Sequence, residues 1–145
     1  MLSAAVAPFR SGHEVSCVNL MRRIEDPADL DDPNTIKVLV DARSDAMIMT
    51  RRAVPTLAPE GLAGTPVFKQ VCIIPFTAAE LRTYAALPPT PLERLESIDM
   101  LRLMEHGRPV RMVETDVDSH AVDTEADRVR VEALLAEDPL TEVVR

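Results

Sequence analysis

Short apolar runs separated by polar segments predict a chain in which strands and helices alternate. Five runs have the length and the β-branched content of strands, and they lie at residues 14–20, 36–40, 46–50, 67–74 and 109–114. The second and third runs are joined by the five residues from Asp41 to Asp45, so together they predict a β-hairpin. The polar or Pro-rich stretches 24–34 and 53–66 predict loops.

Capping signals predict where the shorter helices begin and end. Thr77 followed by Glu80 is a capping box, and the helix that it opens is predicted to end before Pro88. Residues 2–9 are predicted as the first helix and residues 124–137 as the last.

A long helix is predicted after Thr90. The Thr90 side chain suits the N-cap, Pro91 suits the first helical position, and Glu93 completes a capping box. Apolar residues then recur at intervals of three, which predicts one continuous helix with a buried stripe made of Leu92, Leu95, Ile98, Leu101 and Met104. Glu96 is interpreted as part of the solvated face, and Gly107 is predicted to end the helix.

This order of elements predicts an α/β fold with a protruding antiparallel piece. Only one or two of the strands suit a parallel sheet, and none of them opens on a glycine-rich phosphate loop. An α/β nucleotide-binding domain of ordinary size has more strands than this. The chain is therefore interpreted as part of a domain.

Composition narrows the class of protein. The chain has 145 residues and a net charge of −8, which argues against nucleic-acid binding because phosphate neutralisation needs clustered Lys and Arg. No apolar run is long enough to span a bilayer, and no basic region precedes the first apolar residues, so no membrane partner is predicted and a cytoplasmic location is expected.

The cysteines and histidines do not predict a metal site. Cys17 and Cys72 lie in apolar runs and are predicted to be buried, reduced thiols. The three histidines have no zinc-like spacing with each other or with the cysteines.

Five segments in order resemble the C-terminal half of the 3-deoxy-manno-octulosonate (Kdo) cytidylyltransferases. They are DPNTIKVLVD at 32–41, MIMTRRAVP at 47–55, FKQVCIIPF at 68–76, the capped helix that follows Thr90, and Val-Asp-Thr at 122–124. Each segment alone is a weak signal, but five in the correct order are specific. The family's CTP loop and its Gly-Asp-Glu-Pro turn have no match in the chain.

The resemblance implies the fold, the activity and the partners. It implies an incomplete nucleotide-diphospho-sugar-transferase-like (Rossmann-like) domain, with residues 1–145 as its sugar-binding and dimerisation part and the CTP-binding part absent. The implied reaction transfers CMP from CTP to an acidic sugar and releases pyrophosphate, and the chain alone is expected to be inactive. The family also implies a homodimer that pairs through the hairpin.

The resemblance further implies three sugar-binding residues. Arg51 matches a family arginine and could pair with a sugar carboxylate, although a solvated arginine beside Arg52 is the plain alternative. Gln70 stands where Kdo-specific members have a histidine, and Asp99 stands where they have a glutamate. These differences favour a Kdo-like ulosonic sugar or another acidic sugar over Kdo itself.

A magnesium ligand is the last expectation. The family uses Mg²⁺ on two aspartates, and Asp123 matches one of them while the other belongs to the missing turn. An aspartate at a helix start is often an N-cap. Thr124 could instead cap the helix with Asp127, which would leave Asp123 for the metal.

Two other classes of function stay open. A chain without the CTP loop could be a non-catalytic dimerisation or interaction module derived from such an enzyme. It could also be an unrelated small α/β binding domain.

Overall fold

A five-stranded sheet organises the chain in the computed structural model, which describes residues 1–11, 15–56, 61–63, 66–117, 120, 122 and 124–137. The strands are β1 (Val18–Arg23), β2 (Lys37–Val40), β3 (Ala46–Thr50), β4 (Phe68–Val71) and β5 (Arg111–Glu114). The helices are α1 (Leu2–Arg10), α2 (Pro27–Asp31), α3 (Ala78–Ala86), α4 (Pro91–Glu96), α5 (Met100–Glu105) and α6 (Glu125–Glu137). The predicted α/β class is confirmed.

The sheet is mixed and has the strand order β3-β2-β4-β1-β5. Only β1 and β5 are parallel, and the other neighbours are antiparallel. The predicted hairpin is confirmed as β2 and β3, and it continues the sheet through the short pairing of β2 with β4.

The two edges of the sheet approach each other. Asp45, just before β3, forms an isolated bridge with Arg111 of β5, and their side chains pair at 2.7 Å. The Ala46 amide donates to the Val110 carbonyl at 2.9 Å, and the Met112 amide donates to the Ser44 carbonyl at 2.7 Å. The end of the hairpin turn and the first residue of β3 are therefore bonded to β5 and to the residue before it.

Apolar side chains cover both faces of the sheet. The larger cluster packs helix residues such as Ile98 and Leu103 against Val38, Phe68 and Met112 of the strands. The smaller cluster on the opposite face joins Ala5 of α1 to Leu20 and Val71. None of the described helices is long and apolar enough to cross a bilayer.

Several predicted boundaries were wrong. The first strand begins at Val18, four residues later than predicted, and β4 ends at Val71 rather than at residue 74. Because the strand ends there, Cys72 is exposed, which corrects the prediction that both thiols are buried. Cys17 is buried as predicted, and burial raises the pKa of its thiol to about 12.

A short helix replaces part of the predicted loop 24–34. The Asp26 carboxylate accepts a hydrogen bond from the Ala28 amide at 2.9 Å, and Pro27 occupies the first turn. An aspartate cap followed by proline is a sufficient start signal for a helix, although only five residues follow it.

The predicted long helix is two helices. Ser97 has the left-handed angles φ 53° and ψ 50°, which end α4 and turn the chain before α5. The turn breaks the apolar stripe, so that Leu92 and Leu95 are 47% and 79% exposed while Ile98 and Leu101 are buried. The capping box is confirmed at the Thr90 amide, which donates to the Glu93 carboxylate at 3.1 Å.

Carboxylates hold α4 and α5 together. Glu93 pairs with Arg102, and the Glu105 carboxylate accepts hydrogen bonds from the Leu92 and Glu93 amides at the start of α4. In α3 the Thr77 hydroxyl accepts from the Glu80 amide as predicted, while the Glu80 carboxylate pairs with Arg108.

A buried lysine fixes the segments around the hairpin. Lys37 is 0% exposed, and its ammonium donates to the carbonyls of Asp32, Thr35 and Arg51 at 2.7, 2.8 and 2.6 Å. An ammonium has three N–H groups, so these three carbonyls satisfy it completely.

We expect the Lys37→Met variant to be destabilised by about 3 kcal/mol, because methionine fills the space but leaves three carbonyls without a donor. Lys69 is the matched control, since it is the only other lysine in the chain and pairs with Asp29 near the surface. Lys69→Met should cost no more than about 1 kcal/mol. Urea unfolding measures both, and equal losses in the two variants would contradict the role of Lys37.

Candidate functional site

Arg51 lies at a junction of three segments. It follows β3, and its guanidinium donates to the carbonyls of Glu96, Pro33 and Ser97 at 2.7, 3.0 and 3.3 Å. The alternative of a freely solvated arginine is therefore wrong. A guanidinium has five donors, so these three bonds leave two N–H groups, the number that a bidentate carboxylate pairing requires.

Glu96 holds the backbone at this junction. Its carboxylate accepts hydrogen bonds from the Thr50 hydroxyl and from the Arg51 amide, both at 2.9 Å. The hydrogen bond from the Arg51 amide and, to a smaller extent, that from the Thr50 hydroxyl keep the pKa of Glu96 below its ordinary value, although partial burial opposes them. The interpretation of Glu96 as a solvated helix residue was wrong, because its carboxylate binds Thr50 and Arg51, which lie 46 and 45 positions away in the chain.

Gln70 is half-buried in the middle of the sheet. Its backbone amide donates to the Ile36 carbonyl at 2.9 Å, and its side-chain Nε2 donates to Asn19 Oδ1 at 2.5 Å. Asn19 is 0% exposed. In the sequence, Asn19 is the one polar residue of the otherwise apolar run 18–21, and this signal could have drawn attention to the contact between Asn19 and Gln70.

Asp99 is exposed at the start of α5. Burial, and then the charge of Asp99, raise the pKa of the Tyr84 phenol. The Arg102 guanidinium lies 4.6 Å from the centre of the Tyr84 ring while it pairs with Glu93. Asp99 thus belongs to a polar cluster at one end of α5.

Hydrogen bonds and short chain segments link the three predicted sugar residues indirectly. Arg51 binds the Pro33 carbonyl, and the segment from Pro33 reaches Ile36, whose carbonyl binds Gln70. Arg51 also binds the Ser97 carbonyl, two residues before Asp99.

The predicted metal ligand Asp123 lies outside the described residues. At its neighbour, Thr124 and Asp127 form the reciprocal capping box that was predicted, with bonds of 3.0 and 3.2 Å. Among the residues that the structure describes, no group of three or more His, Cys, Asp or Glu side chains could hold a metal ion.

A groove of about 550 Å³ lies between the hairpin and the α4–α5 pair. Met47, Ile48, Leu92 and Met104 provide apolar walls, and Asp41 and Glu105 are among its acidic residues. Met47 and Ile48 are 62% and 40% exposed. The groove does not include Arg51, Gln70 or Asp99.

Known proteins share this sequence and this fold. The chain is 39% identical over 133 residues to the 3-deoxy-manno-octulosonate cytidylyltransferase of Solibacter usitatus, covering 92% of the chain and 52% of the relative. It is 37% identical over 142 residues to the enzyme of the same name from Syntrophotalea carbinolica, covering 93% of the chain and 57% of the relative.

A solved structure described as CMP:2-keto-3-deoxy-manno-octonic acid synthetase complexed with CTP matches with a TM-score of 0.81 and 29% identity, over 94% of this chain and 55% of that one. The chain belongs to the 3-deoxy-manno-octulosonate cytidylyltransferase family. It matches the C-terminal portion and spans about half the length of the curated relatives. No family model matches the chain.

The Glu96 contacts predict a pH dependence of stability. The pKa of Glu96 is lower in the folded chain than its ordinary value of 4.5, so its contribution is complete above that pH and is lost as the pH falls through the folded pKa. We expect Glu96→Gln to lose less unfolding free energy than the parent chain between about pH 6 and about pH 3.5.

Urea unfolding at both pH values measures this difference. Glu114→Gln is the matched control, because Glu114 is an exposed carboxylate at the end of β5, and it should lose as much stability as the parent. Identical losses in Glu96→Gln and the parent would contradict the assigned contacts.

Proposed function

We propose that the chain is the acceptor-binding part of a cytidylyltransferase that transfers CMP from CTP to a Kdo-like ulosonic or another acidic sugar, with release of pyrophosphate. The observation that carries this proposal is the match over 94% of the chain to a CMP-sugar synthetase structure at a TM-score of 0.81. Its cytoplasmic location stays a prediction.

In this proposal Arg51 binds the sugar carboxylate, while Gln70 and Asp99 bind hydroxyl groups. Two guanidinium N–H groups remain on Arg51 after its carbonyl contacts, and the rigid junction with Glu96 would hold them in place. The reaction brings an oxygen nucleophile to an anionic phosphate, so positioning and charge neutralisation supply most of its catalysis.

Mg²⁺ would supply part of that neutralisation. We propose Asp123 as its ligand in this chain, and the capping box between Thr124 and Asp127 supports this because those two residues already cap α6. One carboxylate binds magnesium weakly, so the chain alone is proposed to lack a metal centre and to be inactive.

The surface of α6 supports the view that further protein packs on this chain. This helix has 13 residues, none of them buried, and Val129, Leu134 and Leu135 are exposed. Most helices in globular proteins owe their stability to the packing of an apolar face. The remaining half of the enzyme would provide that packing.

We expect no CTP-dependent pyrophosphate release from the chain alone. Joined to the part of the Solibacter usitatus relative that lies outside the match, the chain should release pyrophosphate with 3-deoxy-manno-octulosonate or a related ulosonic acid. Arg51→Lys should raise the sugar KM by about tenfold or more, because an ammonium cannot make two parallel bonds to a carboxylate.

Arg52→Lys is the control and should change the KM little, since Arg52 is exposed beside the junction. Urea unfolding of each variant separates lost binding from lost stability. Activity of the chain alone, or an unchanged KM in Arg51→Lys, would refute this assignment.

A second proposal concerns assembly: the chain forms a homodimer through the hairpin, with or without catalysis. The exposed Met47 and Ile48, together with the exposed Leu92 of α4 in the same groove, support it. Exposed apolar residues that line one groove are typical of association surfaces.

We expect the chain to be a dimer by size-exclusion chromatography with light scattering, and Ile48→Glu to convert it to a monomer because the charge would be buried at the contact. Leu134→Glu on α6 is the matched control and should stay dimeric. A monomeric parent chain would refute the second proposal and leave the first one standing.

A further inference from the structure

The chain contains three side-chain amides, and two of them bind each other. Asn19, Asn34 and Gln70 are the only asparagine and glutamine residues in the sequence. Asn19 and Gln70 are 51 residues apart, yet their side chains are joined by a hydrogen bond of 2.5 Å between β1 and β4. They lie on the sheet face that also carries Met21 and Phe68, two positions away along each strand.

The orientation of the Asn19 amide is fixed by its own contacts. Its Nδ2 donates to the carbonyls of Leu20 and Val71 at 2.9 and 2.8 Å, which uses both N–H groups. If the Asn19 amide were turned by 180°, its Oδ1 would face the two carbonyl oxygens with no hydrogen between them. Oδ1 is therefore the atom that faces Gln70.

This orientation determines which end of Gln70 meets Asn19. A carbonyl oxygen can only accept, so Gln70 must present its NH₂ group to Asn19 Oδ1. The Gln70 carbonyl oxygen, Oε1, then lies on the other side of the amide. A hydrogen bond to a fully buried and fixed partner of this kind restricts the Gln70 side chain to one arrangement.

We infer that Asn19 is a positioning residue that orients Gln70 so that Oε1 accepts a hydrogen bond from a hydroxyl group of the bound sugar. The inference rests on the proposed function, which puts Gln70 at the sugar. It assigns to this position a donor on the ligand, and therefore a hydroxyl rather than a carboxylate or a phosphate oxygen.

The scarcity of amides gives a direct test by nuclear magnetic resonance on the ¹⁵N-labelled chain. Only three side-chain amide NH₂ pairs can appear in its spectrum. The exposed Asn34 is the internal control. We expect the NH₂ protons of Asn19 and Gln70 to exchange with water at least about tenfold more slowly than those of Asn34, since the former are hydrogen-bonded inside the sheet.

A substitution tests the direction of the effect. In Asn19→Leu, which keeps a side chain of similar size, the Gln70 NH₂ pair should exchange as fast as that of Asn34. In Gln70→Leu the Asn19 pair should stay protected by its two backbone carbonyls. If Asn19→Leu does not fold, the comparison of the three pairs in the parent chain still decides the question: fast exchange of the Gln70 pair overturns the inference.

Titration with 3-deoxy-manno-octulosonate separates this inference from the proposed function. A shift of the Gln70 pair in the parent chain, with binding at least about tenfold weaker in Asn19→Leu, supports both. Equal binding in Asn19→Leu overturns the positioning role and leaves the proposed function intact. A protected Gln70 pair that does not respond to millimolar 3-deoxy-manno-octulosonate, nor to any of a panel of related ulosonic acids, overturns the assignment of the sugar to this site, while the orientation of Gln70 by Asn19 stands.

Discussion

The buried ammonium of Lys37 is the contact on which the arrangement of the candidate site depends. It joins the loop before β2 to the residue after β3, through carbonyls at 32, 35 and 51. Burial lowers the pKa of Lys37, and the nearby Asp32 charge opposes that effect. The cost of removing a charge from water is offset here by three short bonds, so the segments that supply the carbonyls have little freedom to move.

Arg51 is held from both sides as a consequence. Lys37 binds its carbonyl, Glu96 binds its amide, and its guanidinium reaches back to the carbonyls of Pro33 and Ser97. A cation fixed in this way needs little reorganisation when an anion arrives, which is the advantage of preorganised sites. The same contacts make Arg51 important for the fold, so the effects of its substitution on binding and on stability must be measured separately.

Local sequence signals predicted the elements well, and long-range contacts explain where they failed. The turn from Asp41 to Asp45, the capping residues Thr77 and Thr90, and the left-handed Gly107 act within a few residues, so they could be predicted from the sequence.

The break between α4 and α5 at Ser97 could not be predicted, because serine has no preference for the left-handed conformation. It occurs where Glu96 binds Thr50 and Arg51, 46 and 45 positions away. The amide pair in the sheet likewise joins two strands whose pairing no local pattern specifies. The apolar spacing after Thr90 was real, but in its first half Leu92 and Leu95 are exposed instead of contributing to the core.

The contact between the first and last members of the sheet has a consequence for how this half-length chain behaves by itself. Outermost strands offer unsatisfied amides and carbonyls to any passing polypeptide, and fragments of larger folds are especially prone to such indiscriminate pairing. Here Ser44 and Ala46 bond to Met112 and Val110, and Asp45 pairs with Arg111, so each margin shields part of the other. Because these backbone groups are already bonded to each other, a new partner at this place would have to bind side chains and not the edge of the sheet.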